Sequence, residues 1–237
     1  MRNLKVISLI FILSLVCNAC FEIREKVTIN KDGMGSYQMI MDFSASKKMF
    51  QMMLDLANTK EGDAVGLDEN PLIGLDSAFI TLSEELNLIK GISNAIGITD
   101  EANFLFGVEL DFEDVEALNK ALSKLDRGNE NTDPEAYYIF DKKRRFEKTN
   151  QFNLQNLTNE MVPREDADSS EEMRAQLQEL YDDVTYTVII ETEDRKIRDF
   201  SNEEAILSED KKTLTFSKTL KELKEYDVDL GNLIRLR

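Results

Sequence analysis

Six of the nine methionines, Met34, Met39, Met41, Met49, Met52 and Met53, fall within 20 residues of one another. Thioether side chains adapt to the shape of a guest, so such a cluster suits a pliable apolar cavity for an acyl chain. It equally suits an ordinary core at helical and strand spacing, and soft sulfur can also hold copper. Met39, Met41, Met49, Met52 and Met53 are the candidate cavity residues, and no metal site is assigned. Acids cluster at Asp63, Asp68 and Glu69, at Glu130 and Asp133, and at Glu165, Asp166 and Asp168. None has the regular offsets around a sharp turn that calcium needs, and Asp126 to Asn131 fits that pattern poorly. Paired carboxylates could serve a glycosidase, but the chain has no Trp for sugars to stack on. These acids read as a solvated surface.

The run Lys142-Lys143-Arg144-Arg145 is the one concentrated positive patch in a chain with 46 Asp+Glu against 29 Lys+Arg and a net charge of −17. It is a candidate contact for phosphate headgroups or for an acidic partner face, beside the plainer reading of a solvated turn balanced by Asp141 and Glu147. An acidic chain lacks the basic face that a phosphate backbone needs, so nucleic acid is excluded as a partner. There are no histidines, which removes His-based zinc sites, triads and the usual neutral-pH proton shuttle. The serines have no G-x-S-x-G elbow, and Gly33-Met34-Gly35 lacks the third glycine of a phosphate loop. No catalytic residue and no cofactor is assigned; the expectation is a protein that is not an enzyme.

Both cysteines lie near the start, in Leu15-Val16-Cys17-Asn18-Ala19-Cys20, after a positive Arg2 and Lys5 and an apolar run from Val6 to Val16. That run is too short to span a bilayer, which takes about 20 apolar residues. It reads as residues 1–19 of a signal peptide. The site resembles the lipobox of bacterial lipoproteins, where a small residue precedes the cysteine that receives the lipid. Ala19 makes Cys20 the candidate lipidation site, although Cys17 stands where the family prefers Leu. Plain secretion after cleavage at Ala19, an uncleaved anchor, and a Cys17–Cys20 disulfide are the other readings. Cleavage before Cys20 would move the charge from −17 to −19 by removing Arg2 and Lys5. The lipid, and not charge, would then hold the protein to an anionic leaflet. The expected location is the cell envelope, outside the cytoplasm, with inner or outer membrane open.

The elements that must position these residues follow from periodicity. Phe21, Ile23, Val27 and Ile29 alternate with Glu22, Arg24, Lys26, Thr28 and Asn30 as a half-buried strand. Asn30-Lys31-Asp32-Gly33 is a turn, and Tyr37, Met39, Met41 and Phe43 line the second strand of the hairpin. Helices are predicted from Ser44 or Ser46 to about Ala57, from Asp76 to Ile96 with Gly97 as its stop, from Asp114 to Leu125, and from Ser170 to Tyr181. Strands are predicted at Phe104–Phe112, Tyr137–Phe140, Arg145–Phe152, Val184–Thr192, Glu204–Leu207 and Thr213–Thr219; the tail from Leu220 is too mixed to assign. Hairpins in place of strict βαβ alternation predict an α+β fold, an antiparallel sheet with helices on one face. Residues 20–237 read as one domain, with the weakest join near 153–170.

Two of these turns carry a likeness to a known family. Asn30-Lys31-Asp32-Gly33-Met34-Gly35-Ser36-Tyr37 follows directly on the lipidation cysteine and first strand, and Asp210-Lys211-Lys212-Thr213 opens a late strand after Tyr186 to Glu191. This arrangement resembles the LppM-type domain of envelope lipoproteins, whose turns read N-x-D-G-x-G-x-Y and D-G-K-T. The chain departs from it at Glu193-Asp194, where the family has Pro-Gly, and at Phe216, where it has Trp. The resemblance implies an α+β domain that binds lipid or glycolipid at the envelope, and it carries no catalytic residues across to this chain. Binding of a lipid or other apolar ligand near the membrane is the leading expectation; a protein-interaction module of an envelope assembly is the alternative.

Overall fold

The computed structural model describes residues 21–47, 71–125, 136–141, 144–149, 182–225 and 230–237. The fold is α+β. In chain order the elements are β1 (Glu22–Ile29), β2 (Gly35–Asp42), a 3-10 turn (Ser44–Ser46), α1 (Pro71–Leu86), β3 (Ile92–Asp100), β4 (Leu105–Phe112), α2 (Val115–Leu125), β5 (Tyr138–Asp141) and β6 (Arg145–Lys148). There follow β7 (Thr185–Thr192), β8 (Ile197–Phe200), β9 (Ile206–Leu207), β10 (Thr213–Thr219), α3 (Leu220–Glu225) and β11 (Asn232–Leu236). The strands form a seven-stranded sheet, β3-β4-β2-β1-β7-β10-β9, and a four-stranded sheet, β5-β6-β11-β8.

The first hairpin forms as its alternation requires. Asn30 Oδ1 accepts from the backbone N–H of Asp32 at 2.9 Å and of Met34 at 3.2 Å, while Gly33 supplies a φ of 91° that a side chain would resist. Ile29 lies opposite Gly35 and the pairing runs unbroken to Glu22 opposite Asp42. The late turn keeps the same logic with a different residue. Asp210 Oδ1 accepts from Ser208 Oγ and from Lys212 N, and Lys211 takes the left-handed conformation, φ 64°, where the LppM-type motif has Gly.

Two features go beyond hairpins. β1 pairs parallel with β7, Ile23 opposite Tyr186 and Val27 opposite Ile190, so the N-terminal strand sits in the middle of the larger sheet. The second sheet is built from β5, β6, β8 and β11, the last two of which lie in stretches to which the sequence assigns no element. Among the described residues, α1, α2 and the four-stranded sheet all contribute to the apolar cluster on one face of the larger sheet, through Phe79, Leu82, Leu118, Leu122, Phe146 and Ile234.

The predicted helix from Asp76 to Ile96 is corrected. α1 ends at Leu86 and Ile92–Asp100 is strand β3. Gly91, at φ 89°, turns the chain, and the Asn87 side chain fastens the new strand to the end of α1. Its amide donates to Ser83 O at 3.0 Å and to Ala95 O at 2.8 Å, and its Oδ1 accepts from Ala95 N at 3.0 Å. Ile96, the last residue of the predicted helix, is 55% exposed. Of the helix expected from Ser44 to Ala57, only the 3-10 turn falls within the described residues, and the helix expected at Ser170–Tyr181 lies outside them.

α2 begins where expected. Asp114 caps it, its Oδ1 accepting from Ala117 N at 2.8 Å, and Val115, Leu118 and Leu122 face the core. Asp114→Ala is expected to lower thermal stability by about 1 kcal/mol, read from a melting curve, with Asp114→Asn close to neutral.

Candidate functional site

The largest departure from the sequence reading is Glu25. It shares the inward face of β1 with Ile23, Val27 and Ile29, and is 0% exposed. Its carboxylate meets Lys148 from β6, also buried at 1%, with Nζ 3.1 Å from Oε2. The Tyr138 hydroxyl donates to Oε1 at 2.7 Å, and the Tyr186 hydroxyl donates to Oε2. The Lys148 ammonium also stands 5.0 Å from the centre of the Tyr138 ring, which stacks on Phe146 at 5.4 Å. Tyr37 completes the ring of phenols: its buried hydroxyl faces the same carboxylate without a hydrogen bond of acceptable geometry. All three tyrosines have pKa values raised well above 10.0, by burial first and by the negative charge of Glu25 second.

The topology explains the meeting. β1, β2 and β7 are neighbours in the larger sheet and contribute Glu25, Tyr37 and Tyr186; β5 and β6 of the smaller sheet contribute Tyr138 and Lys148. The cluster therefore bolts one sheet to the other through a charge pair that also accepts from two phenol hydroxyls. Beside it, Lys148, Asn202, Asn232, Val188 and Phe216 border a cavity of about 10 Å³, room for a single water molecule at most. A general acid or nucleophile needs contact with its substrate, and this polar cluster is shut inside the core.

The predicted site residues divide by position. Met39 and Met41 are 2% and 1% exposed and belong to the apolar core, opposite Val108 and Phe106 of β4. Met49, Met52 and Met53 lie outside the described residues, as do Cys20, Lys142 and Lys143. Arg144 and Arg145 are exposed, at the β5–β6 turn. The end of β5 that leads to them abuts the β1–β2 turn, since a Cβ on Gly33 would come within 2.8 Å of the Phe140 ring. Arg144 and Arg145 thus stand at the end of β1 opposite to Glu22. Eight residues of strand separate the two ends by about 23 Å, taking about 3.3 Å per residue.

Sequence reasoning missed Glu25 because it was left out of the face it occupies. The signal was there: position 25 falls in the i, i+2 register of Phe21, Ile23, Val27 and Ile29, and an acid in that register demands a buried partner. Nothing local named Lys148, which is 123 residues away.

No family model and no curated protein matches the chain. Among solved structures, the chain is similar to the folded domain of LppM from Mycobacterium tuberculosis, at 10% sequence identity and a TM-score of 0.41, over 92% of this chain and 89% of that one.

Proposed function

We propose that the chain is a lipid-anchored protein of the bacterial cell envelope that works by binding, through its surface, rather than by catalysis. One observation carries the reading: the richest polar cluster among the described residues, Glu25, Lys148, Tyr138 and Tyr186, is sealed in the core, leaving chemistry to the exposed faces. The absence of His supports the same view. The anchor rests on Cys20 and its flanking residues. With β1 starting at Glu22, the central strand of the larger sheet would begin two residues from the lipid, so the folded body would ride directly on the bilayer.

A protein partner is favoured over an acyl ligand because Met39 and Met41 are closed into the core, whereas ligand pockets commonly enclose some 300–1,000 Å³. The concentration of methionine between Met34 and Met53 supports the rival reading, an apolar ligand held near the membrane.

Intact-mass measurement of detergent-extracted chain tests the anchor. The expected species starts at Cys20 and carries diacylglycerol, and Cys20→Ala is expected to deplete mature chain from the membrane fraction at least tenfold. An unmodified thiol in the membrane-extracted chain would refute it. Purified chain whose melting temperature rises with added phospholipid, and which carries lipid in native mass spectrometry, would shift the reading to lipid binding.

A further inference from the structure

Six of the chain's 11 Arg, namely Arg144, Arg145, Arg195, Arg198, Arg235 and Arg237, lie on the four-stranded sheet or in its flanking turns, although the chain as a whole carries a charge of −17. Alternation sends Phe146, Lys148 and Ile234 inward and presents Ile139, Arg145, Glu147, Leu233 and Arg235 outward. Register then arranges the outer face in two rows. One runs Asp141, Arg145, Arg235, Asp199; the other runs Ile139, Glu147, Leu233. Arg145 lies directly opposite Arg235, and like charges so placed are destabilising. Arg145 leans on Glu147, and Arg235 reaches Asp199 at 3.1 Å. Among the described residues, Arg144, Arg198 and Arg237 are exposed and form no ion pair with a carboxylate.

We propose that this outer face of the four-stranded sheet binds a protein bearing an acidic patch, its carboxylates meeting the guanidinium forks of Arg144, Arg145, Arg235 and Arg237 beside the row that holds Ile139 and Leu233. The inference deepens the reading of a surface-binding envelope protein and rests on it. Three observations select the occupant. Arginine's planar fork matches carboxylate geometry, and arginine is among the residues enriched at protein-interface hot spots. Asp141, Glu147 and Asp199 share the rows with the arginines and would repel a uniformly anionic polymer or headgroup layer, whereas a protein surface of mixed sign accommodates them. The Arg144 end also stands about 23 Å along β1 from the anchored end. That is more than twice the screening length of about 8 Å at physiological salt, the range beyond which headgroup charge is screened.

The test is site-specific photocrosslinking in intact cells, with benzoylphenylalanine at Ile139 or Leu233 of the full chain, and at Gln38 on the outer face of the larger sheet as control. The expected result is one protein crosslinked from both positions and not from Gln38. Arg145→Glu with Arg235→Glu should cut the yield at least tenfold, and reversing the acids of the crosslinked segment in the partner should restore it. Arg144→Glu with Arg237→Glu, which breaks no ion pair among the described residues, gives a second variant should the first fail to fold. The proposal is overturned if Gln38 crosslinks equally, if charge reversal leaves the yield unchanged, or if purified chain instead binds phosphatidylglycerol vesicles in an arginine-dependent way. A chain that is unacylated but still crosslinks from Ile139 refutes the anchor and leaves this surface standing. An acylated chain with no crosslink from either position does the reverse.

Discussion

Lys148→Met is expected to lower the free energy of unfolding by about 3–5 kcal/mol, measured by urea denaturation, because it strands Glu25 as a buried charge. Glu25→Leu should cost a similar amount by stranding Lys148 and two phenol hydroxyls. The pair together behaves differently. Glu25→Leu with Lys148→Met removes both charges at once, and buried ion pairs replaced by apolar residues are often near neutral, so the double variant should lose much less than the sum. It will not recover fully, since the Tyr138 and Tyr186 hydroxyls, which now donate to Glu25, would lose their acceptor at about 1–3 kcal/mol each. Adding Tyr138→Phe and Tyr186→Phe should return most of that. With domain stabilities of about 5–15 kcal/mol, either single change removes a large share. A Lys148→Met variant within 1 kcal/mol of the parent would show that the two sheets are held by apolar packing alone and that the cluster is incidental.

The same cluster marks what sequence can and cannot reveal in this chain. Local patterns were readable: the Asn30–Gly33 turn, the β1–β2 hairpin, Asp114 as the start of α2, and the span Thr213–Thr219 all follow from neighbours within a few residues. Elements whose stability is borrowed from distant strands were not. β11 is five residues in a tail with weak alternation and exists through its pairing with β6 and β8, so nothing within Asn232–Leu236 announces a strand. β3 failed for a different reason. Leu86, Ile89 and Ile96 mimic a helical stripe, and only the left-handed turn at Gly91 and the grip of Asn87 on Ala95 break the helix before the stripe is complete. For the candidate site, the basic run at Arg144 and Arg145 was visible, but the face to which it belongs needed Arg235 and Asp199 brought alongside by β11 and β8.

A cooperative alkaline unfolding is the second large effect expected. Tyr37, Tyr138 and Tyr186 are fully buried, and burial together with the adjacent Glu25 charge raises each pKa well above 10.0. In the unfolded chain they ionise near pH 10, so above that pH the unfolded state sheds protons that the folded state keeps. The sign is therefore fixed: the contribution is complete below about pH 10 and is lost as pH rises beyond it. Each tyrosine costs about 1.4 kcal/mol per pH unit, so the three together cost about 4 kcal/mol per unit. That loss is large against the stability of an ordinary domain. Because the chain has no His, the baseline near neutral pH should be flat by comparison. Tyrosinate absorbance, followed beside circular dichroism, should show at least three of the six tyrosines ionising only as the fold is lost, and Tyr186→Phe should reduce the alkaline slope of the cluster by about a third. If all six tyrosines ionise smoothly while the dichroism is unchanged, these hydroxyls are open to solvent and the sealed cluster does not exist in solution.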